Sequence, residues 1–207
     1  MILMYHKVDI VTPSYWWVSS QRFVMQIDAM INAGYEFSYL DNYCEENKRQ
    51  VILTFDDAYE NLYDHAFPIM RDRQIPFEVF VIGNHLGGWN DFDKDEMRTR
   101  FCSLEQLQEM AESGARIQWH TRDHLRLTQI DSDELDHQLS INSHLQSKFQ
   151  EPHLQWFAYP HGVHDQCSID RIKKGFRGAV SVNDGTNSDR FQLNRITVDE
   201  LWMPGWD

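Results

Sequence analysis

Short apolar runs alternate with amphipathic segments along the chain of 207 residues. The runs have the length of strands and are apolar on both faces, as in a buried parallel sheet. The segments between them repeat apolar residues every three or four positions, the spacing of one helix face. This order predicts an α/β fold in which helices cover a parallel sheet. Up to eight strands are predicted, at residues 2–5, 36–40, 51–55, 77–82, 116–119, 155–159, 178–182 and 191–198.

Two of the predicted helices have clear ends. The first begins near Phe23 and ends at Gly34, because glycine is the residue most typical of a helix C-terminus. Another begins after Ser103, which is predicted to form a capping box with Gln106, and it ends at Gly114. These capping residues therefore locate two helices within the chain.

Three further segments lack such clear ends. Residues 58–72 have a helical pattern, although Pro68 should kink or break that helix. Asp131 predicts the start of a helix whose apolar stripe continues to Phe149. The segment 83–102 is long, polar and contains glycine, so we expect a surface loop near the functional site.

The composition is that of a globular protein, 42% hydrophobic and 25% charged. Nothing resembles a linker, so a single domain over residues 1–207 is predicted. The net charge of -13 would repel nucleic acid and anionic membrane surfaces, which excludes them as expected partners. The first apolar run is too short for a signal peptide or a membrane span, so the chain as given reads as cytoplasmic. The sequence indicates no oligomeric state.

Two adjacent carboxylates, Asp56 and Asp57, follow the predicted strand at residues 51–55. A strand end needs at most one Asp, as a turn former or as a helix cap. His120 and His124 follow another predicted strand. In parallel α/β folds, function gathers at the carboxyl ends of the strands. We therefore expect these four residues to share one face of the sheet.

His120 and His124 are four positions apart, which would place them on one side of a helical turn. With one carboxylate they form a set that binds a divalent metal and leaves positions for water and substrate. One Asp of the pair can ligate the metal while the other accepts a proton from water. Either motif alone is more often a solvated loop or a pair of surface histidines, and their joint position at strand ends favours a metal site.

Several stretches of the sequence resemble the polysaccharide deacetylase family, which includes metal-dependent deacetylases of chitooligosaccharides and peptidoglycan. The resemblance covers nearly the whole chain, and TFDD, HTxxH and YPxG follow one another in the family's order. The stretches that carry it are ILMYHKV, LTFDDAYEN, IPFEVFVIGNHLG, WHTRDHLRLTQ, FAYPHG and FQLNRITV.

The resemblance implies a distorted (β/α) barrel with about seven parallel strands. It also implies hydrolytic removal of N-acetyl groups from an amino sugar, a polysaccharide or a glycoconjugate. By position in the motifs, Asp56 is similar to the general base of the family. Asp57, His120 and His124 are similar to the ligands of one divalent metal ion, for which zinc is the usual choice.

The sequence departs from the family pattern at two motifs. Ala158 stands where the family often has an Arg, two residues before the proline of its Arg-x-Pro-Tyr-Gly motif. The backbone N–H of His161 can still face an oxyanion, because that role requires no particular side chain. Asn194 and Arg195 stand where the family often has the His that supplies the general acid. Arg195 is therefore expected to contact Asp56 and to replace the missing guanidinium.

The proton donor must then come from elsewhere in the chain. His6, at the carboxyl end of the first predicted strand, is the first candidate, followed by His161 and His164. A hydrogen-bonded packing residue is an equally good interpretation of each single histidine. Trp89, in the long loop, is the tryptophan expected to stack on a sugar ring.

The leading interpretation is thus a hydrolase of a carbon-nitrogen bond that is not a peptide bond. Two alternatives stay open at the level of sequence. The departures from the family pattern would also suit a glycan-binding module of the same fold with impaired catalysis. Related enzymes act on amides that are not sugars, so the substrate could carry such an amide instead.

Overall fold

Eleven short strands and six α-helices occur in residues 1–182 and 187–205, which the computed structural model describes. All pairings between these strands are parallel. The strands are β1 (Ile2–Tyr5), β2 (Lys7–Asp9), β3 (Trp17–Ser19), β4 (Glu36–Phe37), β5 (Gln50–Phe55), β6 (Phe77–Val81), β7 (Ala115–Trp119), β8 (Trp156–Ala158), β9 (Gly178–Ser181), β10 (Leu193–Asn194) and β11 (Ile196–Thr197). The helices are α1 (Ser20–Asn32), α2 (Phe67–Asp72), α3 (Leu104–Glu112), α4 (Ser132–Leu139), α5 (Ser143–Lys148) and α6 (Gln166–Ile172).

The main sheet forms a nearly closed barrel, because its last segment pairs with both of its edges. The order around the barrel is β10, β9, β8, β7, β6, β5, β1 and β11. β10 pairs with β9 and β11 pairs with β1, while Arg195 lies between them. The predicted strand at residues 191–198 is therefore split into two halves that close the ring. The predicted distorted barrel is confirmed, with eight strands, or seven if the halves are counted together.

Side chains alternate between the inside and the outside of this barrel along each strand. Leu3 and Leu53 belong to the large core between the barrel and the helices. Their neighbours Ile2 and Ile52 belong to a separate buried cluster inside the barrel. Both faces of β1 and β5 are thus buried, which explains why these two strands read as largely apolar runs.

The helix ends with clear signals in the sequence lie where those signals predict. α1 ends just before Gly34, which has a φ of 74°, a conformation that glycine adopts readily. The predicted capping box of α3 is present. The side chain of Ser103 accepts from the N–H of Gln106, and the side chain of Gln106 accepts from the N–H of Ser103.

The helix predicted from Asp131 to Phe149 is wrong in length. Asp131 does cap α4, but a break separates α4 from α5. At the break, Ser140 has an extended backbone with a ψ of 116°, and its hydroxyl donates to the carbonyl of His137 at 2.7 Å. A serine that bonds back to the last turn competes with continuation of the helix.

The helix predicted over residues 58–72 is also shorter than expected. Ala58 has a φ of 60°, which is incompatible with a right-handed helix. The helical segment starts as a π-helical turn at Leu62–Ala66 and continues as α2. Pro68 lies in the first turn of α2, directly after the π-helical turn, and its ring fixes a φ that a helix also adopts. It therefore marks the predicted boundary without breaking the helix.

The strand predicted at residues 36–40 is reduced to β4 by a buried carboxylate. The backbone N–H of Leu40 donates to the carboxylate of Glu78 at 2.9 Å, so it does not extend the strand. Gln118 donates to the same carboxylate at 2.7 Å. β2 and β3 were not predicted, because three residues are too few to show a period of two.

One continuous core cluster of buried apolar residues extends from Leu3 to Val198. This continuity fits the prediction of a single domain over residues 1–207, which stays a proposal. Among the residues that the structure describes, no helix has the length and hydropathy needed to cross a membrane.

Candidate active site

The candidate site lies at the carboxyl ends of β1, β5 and β7. Every second residue of β1, starting at Ile2, faces the inside of the barrel, and this alternation continues to His6 just after the strand. In the same way, the inward-facing positions of β5 that include Ile52 continue to Asp56. His120 comes directly after β7 and lines the same cavity. The alternation of the strands therefore explains why these polar side chains face the mouth of the barrel.

Asp57, His120 and His124 converge at this mouth. Oδ1 of Asp57 lies 3.5 Å from Nε2 of His120 and 3.6 Å from Nε2 of His124. The three potential ligand atoms all lie within 4.8 Å of one another. The ligands of a tetrahedral zinc ion are about 3.4 Å apart, given bonds of about 2.0 to 2.2 Å. The spacing of these three side chains therefore suits a divalent ion.

The carboxylate of Asp57 carries a second sign of an ion. Its Oδ1 is buried and has no hydrogen-bond partner among the described residues. A buried polar atom without a partner is costly, and a bound cation would satisfy it. The residues at this point thus fit a metal ion in both spacing and chemistry.

The two imidazoles are also in the state that a metal requires. Burial lowers the pKa of His120 to about 4 and the pKa of His124 to about 3, so both rings are neutral near pH 7. Nδ1 of His120 lies 2.7 Å from the carbonyl oxygen of Ala158. With its N–H donating to that carbonyl, the ring presents the free lone pair of Nε2 toward Asp57.

The two histidines do not share a helical turn, contrary to the prediction from their spacing. Thr121 and His124 have φ values of 70° and 59°, so the backbone between them turns through left-handed conformations. The N–H of His124 donates to the hydroxyl of Thr121 at 2.9 Å. A tight irregular turn, and not the repeat of a helix, brings the rings of His120 and His124 to 4.9 Å from each other.

The predicted contact between Arg195 and Asp56 is present. Two nitrogens of the guanidinium donate to the two carboxylate oxygens at 2.6 and 2.7 Å, and both side chains are buried. Burial alone would raise the pKa of Asp56, but the Arg195 guanidinium holds that pKa well below its usual range. Arg195 also donates to the hydroxyl of Thr54 at 3.1 Å, which fixes the guanidinium. It thus supplies the positive charge that Ala158 cannot.

His6 lies at the cavity as the sequence predicts. Its ring is 4.7 Å from the ring of Trp16, centroid to centroid, and both residues line the cavity. Burial lowers the pKa of His6, while the nearby carboxylates of Asp57 and Asp56 oppose that shift. The position is that of a candidate proton donor, and the role stays a prediction.

The other two candidate histidines occupy different places. His161 lies in a short 3-10 turn after β8 with a φ of 58°, and its ring is 4.6 Å from the ring of His124. His161 lines the cavity. His164 instead stacks on Tyr159 at 4.5 Å and contacts the side chain of Gln192. His161 is therefore the candidate of these two that can reach a substrate.

The cavity in front of these residues has a volume of about 460 Å³. Part of its wall was not identified from the sequence, namely Trp16, Phe92, Asp93 and Arg126. Phe92 and Asp93 belong to the loop that was predicted near the site, so their position was the available signal. Trp89 is not among the described residues that line the cavity, and its ring lies against Arg98 at 4.3 Å.

Curated proteins that are similar in sequence to this chain include polysaccharide N-deacetylases. Poly-beta-1,6-N-acetyl-D-glucosamine N-deacetylase of Staphylococcus epidermidis is 29% identical over 177 residues, which cover 77% of this chain and 60% of the relative. The protein of the same name from Staphylococcus aureus is 27% identical over 202 residues, with coverages of 88% and 68%. The chain spans 52% to 68% of the length of the first curated relatives that it matches.

Solved structures share the same fold. The Streptococcus pyogenes deacetylase PplD has a TM-score of 0.82 and 24% identity, and the match covers 98% of this chain and 93% of that one. IcaB from Ammonifex degensii has a TM-score of 0.74 and 25% identity, with coverages of 95% and 91%. The family model described as polysaccharide deacetylase matches residues 44–175, more than half of the sequence. The chain therefore belongs to the polysaccharide deacetylase family.

Proposed function

We propose that the chain is a metal-dependent hydrolase that removes N-acetyl groups from an amino-sugar glycan. The observation that carries this proposal is the convergence of Asp57, His120 and His124 at the cavity. The buried Oδ1 of Asp57 lacks a hydrogen-bond partner among the described residues, and the ionised Asp56 lines the same cavity. Membership of the polysaccharide deacetylase family supports the same reaction.

In this proposal Asp57, His120 and His124 hold one divalent ion. Zinc is the proposed ion, because two imidazoles and a carboxylate are donors that it commonly takes. When bound, such an ion acts as a Lewis acid that acidifies water and polarises a carbonyl oxygen. The carbonyl of Ala158 keeps His120 in the tautomer that this binding requires.

Asp56 is the proposed general base. Its contact with Arg195 keeps the carboxylate ionised, so it can accept a proton from the attacking water. The water oxygen then bonds to the acetyl carbon, and the backbone N–H of His161 is proposed to stabilise the resulting oxyanion. Arg195 acts here as a positioning residue, because it orients the Asp56 carboxylate.

His6 is the proposed general acid. As the bond between the acetyl carbon and nitrogen breaks, the leaving amine needs a proton, which a histidine at the cavity wall can donate. His6 donates in its imidazolium form, and Asp56 then returns to it the proton taken from water, so both side chains recover their starting states. The products are acetate and the ammonium form of the amino sugar, because the amine takes the remaining proton of the acetic acid. The ring of Trp16 packs beside the His6 ring, at 4.7 Å between the centroids.

The proposed substrate is a polymer or oligomer of N-acetylglucosamine. Two curated relatives carry poly-beta-1,6-N-acetyl-D-glucosamine in their names. The exposed rings of Trp16 and Phe92 line the cavity and suit the apolar faces of pyranose rings. Nucleic acid is not a proposed partner, since the net charge of -13 repels it.

A substrate scan tests the proposed function. The purified chain is incubated with β-1,6-linked and β-1,4-linked N-acetylglucosamine oligomers and with simple acetamides, and the released acetate is measured. We expect acetate from the acetylated sugars, at a higher kcat/KM than from the acetamides, and none from fully deacetylated oligomers. Tight binding of the oligomers without acetate release would favour an impaired binding module instead. Turnover of the acetamides alone would favour a hydrolase of non-sugar amides.

If His6 is the general acid, the effect of replacing it should depend on the leaving group of the substrate. Replacing His6 by Gln is expected to lower kcat for an N-acetylated oligomer by about 10²-fold or more, because the amine leaves unprotonated. The loss should be much smaller for an activated acetate ester, whose leaving group needs no proton. His164→Gln is the matched control and should retain the activity of the unmodified chain. An equal loss on amide and ester would contradict the role of His6 as acid.

A further inference from the structure

The turn between the two histidines of the proposed metal site needs support from its surroundings. Thr121 and His124 both have left-handed backbone conformations, which are strained for residues other than glycine. Such conformations persist only where neighbouring groups hold them. The separation of the two rings depends on this turn, so whatever holds it also sets the spacing of the ligands.

Gln138 on α4 makes a dense set of contacts with this turn. Its side-chain oxygen accepts from the backbone N–H groups of Arg122 at 3.1 Å and Asp123 at 2.9 Å. Its side-chain nitrogen donates to the carboxylates of Asp123 at 2.7 Å and Glu134 at 2.8 Å. Gln138 is fully buried, and this amide uses both of its donors and both of its acceptor positions.

The opposite side of the turn is held by the segment that follows β6. The N–H of Gly83 donates to the carbonyl of Thr121, and the N–H of Asn84 donates to the carbonyl of Arg122, both at 2.9 Å. The side chain of Asn84 donates to Asp123 at 2.8 Å. These bonds fix the carbonyl groups of the turn, whereas the amide of Gln138 fixes its N–H groups.

We propose that Gln138 is a positioning residue for the metal site. It touches neither the ligand atoms nor the cavity. It fixes the main chain between His120 and His124 so that both Nε2 atoms face Oδ1 of Asp57. The proposal rests on the proposed metal-dependent function, since it assigns Gln138 to the affinity of that site.

The first test replaces Gln138 by Leu, which has a similar size but no hydrogen-bonding groups. We expect the Kd for zinc, measured by competition with a chromophoric chelator on the folded protein, to rise by about 10 to 100-fold, the usual effect of losing an outer partner of a metal site. Leu135→Ala is the matched control, because Leu135 lies on α4 but packs into the core. It should lower Tm while leaving the Kd for zinc unchanged.

The second test exchanges donor and acceptor. Gln138→Glu keeps an acceptor for the two N–H groups but sets a carboxylate against those of Asp123 and Glu134, so it should also weaken zinc binding. Adding Asp123→Asn restores a donor at that contact, and the double variant should bind zinc more tightly than Gln138→Glu alone.

Two results would overturn the role of Gln138. The first is a Kd for zinc in Gln138→Leu equal to that of the unmodified chain. The second is a Gln138→Glu, Asp123→Asn double variant that binds zinc no more tightly than Gln138→Glu alone. Zinc binding by His120→Ala at the wild-type level would instead contradict the metal site itself. The two failures are therefore distinguishable from the same set of measurements.

Discussion

Replacing Asp56 by Asn is expected to lower kcat for acetate release by about 10² to 10⁴-fold, the usual contribution of a general base. The amide of Asn has the shape of the carboxylate but cannot accept the proton of the attacking water. Zinc content should stay near that of the unmodified chain, because the three proposed ligands are unchanged. The measurement is kcat on an N-acetylglucosamine oligomer together with elemental analysis of the same sample.

A control is needed because Asp56 also pairs with a buried guanidinium. Removing one partner of a buried ion pair typically costs about 3 to 5 kcal/mol of stability, since the other charge is left uncompensated. The double variant Asp56→Asn, Arg195→Met removes both charges, so its Tm should be higher than that of Asp56→Asn alone. Its kcat should stay low. Near-normal turnover in the Asn variant with zinc bound would contradict the role of Asp56 as base.

Replacing His120 or His124 by Ala is expected to abolish both stoichiometric metal binding and acetate release. Each change removes one of three ligands, and two ligands do not hold a zinc ion at a catalytic site. The barrel should survive, because the two main apolar clusters contain neither residue. Zinc content, acetate release and circular dichroism are measured on the same preparations.

His144→Ala is the matched control for these two variants. His144 is exposed on α5, away from the cavity, so its loss should change neither zinc content nor acetate release. Full zinc content in either His120→Ala or His124→Ala would show that the ion binds elsewhere. The loss of zinc with full retention of activity would show that the ion is not needed for the reaction.

Most of the barrel could be predicted because its strands are buried on both faces. β1 is an uninterrupted apolar run, and β5 and β6 are apolar at most positions, so these strands can be recognised without knowledge of the fold. The same pattern places His6 and Asp56 at the barrel mouth, because the alternation of a strand continues one step beyond its end. The position of these side chains was thus accessible from the sequence.

The parts that could not be predicted depend on contacts between distant residues. β4 stops early because the N–H of Leu40 bonds to Glu78, which is far away in the sequence. The strand around Arg195 is split because its two halves pair with opposite edges of the sheet. No local pattern records either interaction.

The candidate site was likewise predictable from the sequence only in part. The residue types Asp, His and His and their places at strand ends predict the ligand set, but the spacing of the histidines suggested a helix where a left-handed turn occurs. That turn is held by Gln138, which lies in the next helix along the chain. The contact of Arg195 with Asp56 was predictable because the chain lacks the family's usual Arg at Ala158.

The most direct test of the central claim is acetate release by the unmodified chain before and after removal of its metal. The purified protein is analysed for metals, treated with a chelator, dialysed and assayed on an N-acetylglucosamine oligomer with and without added zinc. The proposed function predicts about one equivalent of divalent metal per chain. It also predicts loss of acetate release when that metal is removed and recovery when zinc is returned. Undiminished acetate release by the metal-free protein would contradict it.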